Sequence, residues 1–270
     1  MGYFIMLDLD GTLLNRHGEL SSNTIKTIKS LKNRHRFIIA TGRPYHACIH
    51  FYNQLELDTP LITDNGGYIT NPSNPDFPVF KSRIDLAAAQ KLFTFSKPFI
   101  RSAFFNEGNI VYTYKYLPKL HEIFKNHDDS FKKVEVLFDE IDIAPSGIIY
   151  LIDVNKMEEF ENFLDNDLKH ELSYRKWGND YQHALYEIYV PNVSKYTAIE
   201  YVMDHYQGDH NKTIAFGDGI NDLEMLKGVK HGVAMKNGLP EVKSACGNIT
   251  LDTNQEDGVV KYLVSYLDKA

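Results

Sequence analysis

Two aspartates two residues apart, Asp8 and Asp10, close an apolar run and stand just before Gly11-Thr12 in the stretch YFIMLDLDGTLL. Residues two apart on an extended chain point to one side, so the segment delivers two anionic groups to one place. Like charges so close are costly unless a cation or a proton compensates them. A divalent metal is the natural compensator, because Mg2+ takes a few carboxylate oxygens, keeps several waters and accepts phosphate oxygens in its open positions. The bland alternative is a strand that ends in an Asp-Gly turn. Farther along, Asp218 and Asp222 stand four apart in GDGIND, across a turn into a helix, so both can approach one side of a site. Thr41-Gly42, before Arg43 and Pro44, offers a hydroxyl and backbone N–H groups at an expected helix N-terminus, the layout of an oxyanion site or of a plain cap. Lys195 follows Ser194 at the start of a helix, where the dipole opposes a cation and an anion is needed nearby. A bound phosphate and Asp8 would supply it; the alternative is a lysine in solvent.

The elements that carry these residues alternate between strand and helix. Ser21 or Ser22 caps a helix to about Asn33, with Ile25, Ile28 and Leu31 on its buried side. Arg36 to Ala40 reads as a strand running into Thr41-Gly42-Arg43-Pro44, and Tyr45, Cys48, Ile49, Tyr52 and Leu55 follow at helical spacing. Leu61 to Thr63 is a short third strand. After Pro191 the alternation resumes, with a helix from Ser194, a strand at Thr213 to Phe216, a helix at Leu223 to Lys227, and further short strands and helices to Leu267. Strands separated by helices imply a parallel sheet with right-handed crossovers. In such a sheet ligands bind at the C-terminal strand ends, near the point where strand order reverses. Asp8 with Asp10, Thr41 with Gly42, and Asp218 with Asn221 and Asp222 all fall at such ends.

Between the two halves the texture changes. Three prolines in the eight residues from Asn71 to Pro78 break regular structure. Beyond them come a helix capped by Asp85, β-rich runs at Phe99 to Phe105 and Ile110 to Tyr116 joined by a hairpin turn at Asn106 to Asn109, and a helix near Pro118 to Asn126. Strand-like runs at Val134 to Phe138, Gly147 to Ile152, Leu172 to Lys176 and Ala184 to Val190, with a helix from Asn155 to Asn166, complete an α+β insert. The expected organisation is a doubly wound α/β core, residues 1–82 and 190–270, interrupted by an α+β domain at 83–189.

Composition narrows the function. At 270 residues the chain is long enough for two domains with cores of their own. A net charge of −7 argues against nucleic acid, and the basic series Lys26, Lys29 and Lys32 has the spacing of a solvated helix face. Two cysteines are too few for a disulfide framework, and no signal-peptide layout or run of about 18 apolar residues is present. A cytoplasmic protein without a membrane partner is expected. His46, Cys48 and His50 suggest zinc, but Cys48 falls on the apolar side and nothing completes four ligands. His121, His127, Asp128 and Asp129 read as a solvated loop. The aromatics Phe104, Phe105, Tyr112, Tyr114, Tyr116 and Trp177, at strand spacing, read as core filling.

Four motifs in order, DLDGTLL at Asp8 to Leu14, ATGRP at Ala40 to Pro44, SK at Ser194-Lys195 and GDGINDLEML at Gly217 to Leu226, closely resemble those of the haloacid dehalogenase-like phosphohydrolases. The likeness is to the Cof-type group, with a large α/β cap inserted after the third core strand, and it covers essentially the whole chain. It implies a Rossmann-like core with an inserted cap that governs substrate choice. It also implies roles: Asp8 as nucleophile, Asp10 as general acid and base, and Mg2+ held by the Asp8 carboxylate, the Asp10 backbone carbonyl and the Asp218 carboxylate. Thr41, Gly42, Lys195 and Asn221 would hold the transferring oxygens, Asp222 would orient Lys195 or a metal-bound water, and Arg43 would reach substrate or cap. One departure is Tyr196, where the group usually has glycine. The function expected from the resemblance is hydrolysis of a small phosphorylated metabolite by a monomer or homodimer, with sugar phosphates the leading class and phosphorylated cofactors next. The alternatives are a phosphomutase or phosphotransferase on the same scaffold and a non-catalytic metabolite-binding regulatory module.

Overall fold

The computed structural model describes residues 2–107, 110–117 and 132–268. The expected helix near Pro118 to Asn126, the Gly108-Asn109 half of the expected hairpin turn, and His121, His127, Asp128 and Asp129 lie outside the described residues. The chain forms two compact units, one up to Phe80 and again from Ser194 onward, the other Lys81 to Val193.

The first unit is built on a sheet whose order is β14-β13-β12-β1-β2-β3-β4, with the two-residue β5 (Phe80–Lys81) beyond β4. Its strands are β1 (Phe4–Leu7), β2 (Arg36–Ala40), β3 (Leu61–Thr63), β4 (Tyr68–Thr70), β12 (Thr213–Gly217), β13 (His231–Ala234) and β14 (Asn248–Ile249). Pairings from β14 through β3 are parallel, and β4 returns antiparallel to β3. β1 is buried along its whole length, as its unbroken apolar run requires of a parallel strand covered on both faces. Ile5 and Leu7 enter one core, Phe4 and Met6 the other. Helices α1 (Ser22–Leu31), α2 (Ile49–Leu55) and α8 (Gly258–Leu267) contribute to the first, α5 (Lys195–Tyr206), α6 (Leu223–Gly228) and α7 (Pro240–Ala245) to the second. Ser21 caps α1 by accepting from the Thr24 N–H. Because β1 pairs with β12 on one side and β2 on the other, the loops after these three strands are neighbours.

The second unit is a mixed sheet of order β10-β11-β9-β6-β7-β8, antiparallel except for β7 with β8. The strands are β6 (Ile100–Glu107), β7 (Ile110–Tyr114), β8 (Lys132–Glu135), β9 (Gly147–Asp153), β10 (Ser173–Asn179) and β11 (His183–Tyr189). Helices α3 (Leu86–Ser96) and α4 (Met157–Asp167) share a core with one face of the sheet, where Ala103, Phe105, Tyr150, Ile152, Tyr186 and Ile188 alternate inward. Phe105 is buried and Tyr112 and Tyr114 pack against this core. Trp177 does not: it is half exposed, its indole N–H donating to Glu187 Oε2 at 3.1 Å. The register slips between Lys176 and Gly178, and such a bulge re-aims the side chains beside it. Phe104, one residue from Phe105, belongs to the other face of the sheet, and Tyr116 lies under Lys133, whose Nζ is 4.0 Å from the ring centre.

Two further details differ from expectation. No continuous helix follows Pro44: a single 3₁₀ turn (Tyr45–Ala47) comes first and α2 starts only at Ile49. Cys48, at φ −134°, breaks the run between them, and Thr41-Gly42 therefore has no helix dipole directly behind it. Among the described residues no helix is long and apolar enough to cross a membrane, and both cysteines are free thiols.

Candidate active site

The site is assembled one residue past the ends of adjacent strands. Asp8 follows β1, Thr41 follows β2 and Asp218 follows β12, and the register sets Leu7 beside Phe216 and Ile39. β1 lies where the sheet order turns back on itself, the switch point at which such sheets open a crevice.

Lys195 joins the motifs. Ser194 caps α5 in a reciprocal box, its Oγ accepting from the Thr197 N–H and its own N–H donating to Thr197 Oγ1. That fixes the first turn of the helix, and the fully buried Lys195 ammonium donates to Asp8 Oδ1 and to Asp222 Oδ1, both at 2.6 Å. Asp222 Oδ2 in turn accepts from the Asp218 and Gly219 N–H groups, each at 2.9 Å. Every Asp222 oxygen is thus engaged, which makes it the brace of the cluster. Tyr196 does not disturb this: its ring covers Gly228, where a Cβ would come within 2.1 Å of Tyr196 Cε2.

Asp8, Asp218 and Asp222 each bring a carboxylate oxygen within 4.8 Å of the others. Three carboxylates face one ammonium, so negative charge is left over. Burial pushes the Asp8 carboxyl well above the usual carboxylate range; Lys195 pulls against this, while Asp222 and Asp218 add to the rise. Asp218 is pushed up to about 6, chiefly by burial and then by Asp222. Lys195, despite burial that acts to lower it, is held above the ordinary lysine value by Asp222 and Asp8. An all-oxygen donor set with surplus negative charge fits a hard divalent cation. The backbone makes room for it: Gly11 sits at φ +73°, and a Cβ there would lie 2.2 Å from Asp218 Oδ2. Only glycine combines that conformation with that approach.

Thr41 is buried, and its Oγ1 accepts from the Arg43 N–H at 3.1 Å. Arg43 reaches Asp10, its Nε and Nη2 donating to the two carboxylate oxygens at 2.7 Å each. The loop after β3 is tied to the loop after β2, since the Asp64 N–H donates to Arg43 O and the Asn65 N–H to Thr41 O. Asn221 donates through Nδ2 to Asn65 Oδ1 at 2.9 Å. Two residues here escaped the sequence reading. Asn65, buried at φ +52°, connects Asn221 to the Thr41 loop; its signal was the DNGG turn at the end of β3. Thr12 donates to Asp218 Oδ1 at 3.1 Å, inside a motif already singled out for its aspartates.

A doubly wound core with an inserted mixed sheet, and acidic loops meeting a buried lysine at the switch point, defines a class. The family model of the haloacid dehalogenase-like hydrolases matches residues 5–263, and the chain belongs to that family as an enzyme of the phosphatase class. Among its relatives is the 5-amino-6-(5-phospho-D-ribitylamino)uracil phosphatase YitU of Bacillus subtilis, 30% identical over 266 residues that cover 98% of this chain and 97% of that one. The pyridoxal phosphate phosphatase YbhA of Escherichia coli is 26% identical, over 97% of this chain and 98% of its own. The crystal structure of a haloacid dehalogenase-like hydrolase from Bacteroides thetaiotaomicron superposes with a TM-score of 0.82 at 26% identity, covering 98% of this chain and 100% of that chain.

Proposed function

We propose that the protein hydrolyses the phosphomonoester of a small phosphorylated metabolite, with Asp8 as nucleophile and Mg2+ as cofactor. The observation that carries this reading is the buried Lys195 shared between Asp8 and Asp222, with Asp218 alongside. Asp8 keeps one oxygen, Oδ2, to which no described residue donates. An oxygen of this carboxylate attacks phosphorus, forming the P–O bond of an aspartyl-phosphate while the bond to the leaving oxygen breaks. Asp10 gives its proton to that oxygen, then takes one from the water whose oxygen attacks phosphorus and releases Asp8 and inorganic phosphate. Lys195, Thr41 and the Gly42 N–H would hold the phosphoryl oxygens as charge builds on them. Asn221, already anchored on Asn65, would add a further amide donor. Asp8, Asp218 and the Asp10 backbone carbonyl would hold Mg2+, which when bound neutralises the phosphate and polarises phosphorus. The insert, as a cap, would select the organic part of the substrate and exclude water during the transfer.

The named activities of the Bacillus and Escherichia relatives favour a substrate in which phosphate hangs on a cofactor or a precursor of one, with sugar phosphates the other class to test. The experiment is phosphate release from a panel of both classes with and without Mg2+, with Asp8→Asn as control. Mg2+-dependent release from at least one ester, lost by about 10⁴-fold or more in the folded variant, is expected. An isomeric phosphoester without free phosphate would establish transfer instead. Near-native rates in Asp8→Asn would remove the nucleophile from the scheme.

A further inference from the structure

Arg43 is held on several sides before it meets anything in the site. Its backbone N–H donates to Thr41 Oγ1 and its carbonyl accepts from the Asp64 N–H. Its Nη1 donates to Ala47 O at 3.3 Å, and the guanidinium lies over the Phe51 ring, 5.4 Å from its centre. The remaining edge of the fork, Nε and Nη2, is aimed at both oxygens of Asp10. Arg43 retains only 11% of its side-chain exposure whereas Asp10 retains 59%. One partner is fixed and the other is loosely surrounded.

Among the described residues nothing else holds the Asp10 side chain. Its backbone is extended, at φ −75° and ψ 127°, and Gly11 follows at φ +73°. No other described residue donates to its carboxylate. A carboxylate on such a turn samples several rotamers in water, and an exposed ion pair adds little to stability. A planar two-point contact is different in kind, because it specifies the plane and the direction of the carboxyl group.

We propose that Arg43 is the positioning residue of Asp10, its fork setting the direction from which Asp10 meets the leaving oxygen. This rests on Asp10 being the proton donor of the first half-reaction and the acceptor of the second. In the first, the proton passes from Asp10 to the leaving oxygen as the P–O bond breaks. In the second, water gives its proton to Asp10 as its oxygen bonds to phosphorus and the Asp8–P bond breaks. While Asp10 carries the proton its carbonyl oxygen keeps the fork and its O–H is turned to the leaving oxygen; once the proton has passed, both oxygens accept from Arg43, as they do here. Arg43 therefore acts on substrate through Asp10 rather than by the direct reach to substrate or cap expected for it.

The test is the leaving-group dependence of kcat/KM, which reads the first half-reaction alone, for the Mg2+-loaded enzyme on phosphate esters running from nitrophenyl through phenyl to alkyl. Good leaving groups need no proton; alkoxides need one. Asp10→Asn is expected to lose about 10²–10⁴-fold on alkyl esters and far less on nitrophenyl phosphate. Arg43→Ala is expected to show the same tilt at about 10–100-fold, Arg43→Lys to fall between, and the double variant to be no worse than Asp10→Asn. A uniform loss across the series in Arg43→Ala, or full additivity with Asp10→Asn, would overturn the positioning role while leaving Asp10 as the donor. If Asp10→Asn itself shows no tilt, the donor assignment fails and the role of Arg43 fails with it. Arg43→Gln, read in the same way, serves if the alanine variant does not fold.

Discussion

The two units bury different kinds of group beside their apolar packing. The first, whose two apolar cores flank its sheet, also buries an ammonium between two carboxylates beyond the strand ends. At the heart of the second is a cluster of rings: Phe160 packs against Phe99, Tyr150 and Tyr186, and Phe93 against Phe138 and Tyr114. Charge taken out of water is costly to assemble, and removing one partner strands the other. Aromatic packing can be achieved by many sequences of similar volume. Charges that must meet at one point constrain their residues one by one, whereas rings that fill a volume can be exchanged.

The sharpest way to break this contrast is at Lys195. Lys195→Met keeps the stem and removes the charge, leaving Asp8 and Asp222 buried without their partner. The expected result is a loss of activity of at least about 10²-fold and a destabilisation of the first unit by about 3–5 kcal/mol, read by turnover and by hydrogen exchange of β1 and β12. A variant as stable as the parent would mean that the charge cluster does not hold the core. Phe160→Ala addresses the other unit and should cost about 3–5 kcal/mol, with faster exchange across β9, β11 and α4 while β1 and β12 stay protected. Equal loosening of both units would deny that their cores are separate.

The smallest effect concerns the insert's own charges. Glu107 accepts from Arg83 Nη1 at 2.7 Å and from Lys81 Nζ at 2.6 Å, and is pulled from 4.5 down to about 2, first by the Arg83 hydrogen bond. An acid whose folded pKa is depressed stabilises the fold above its unfolded pKa and loses that contribution as pH falls towards the folded one. The pair is partly solvated, so Glu107→Gln should cost only about 1 kcal/mol at pH 6. The difference in melting temperature should shrink steadily between pH 4.5 and 2. A gap that persists at low pH would assign the contribution to shape rather than charge.

The same contrast explains what could be read in the chain beforehand. Strand periodicity followed by Asp-Gly or Gly-Asp located the acidic loops, because a parallel strand buried on both faces is an unbroken apolar run and its end is where polarity returns. Ser194 announced the turn that carries Lys195 through an ordinary capping rule. Links between distant loops left no such local mark. The bond from Asn221 to Asn65, that from Thr12 to Asp218 and the reach of Arg43 to Asp10 each join segments brought together only by the sheet. The 3₁₀ turn before α2 was missed because helical spacing of apolar residues survives a break in the hydrogen-bond ladder. Trp177 was assigned to the core because a bulge changes which side of a strand a residue occupies without changing the alternation around it.

Gly66, at φ +100°, lies so close to Ser194 that a methyl group in its place would sit 2.2 Å from the Ser194 carbonyl oxygen. The residue that introduces Lys195 is therefore seated on a loop encoded early in the gene, although what comes just before it in the chain is the far end of the insert. Natural selection could lengthen, shorten or replace that insert while the lysine kept its address. A lineage built this way can acquire a new appetite without having to reinvent its digestion.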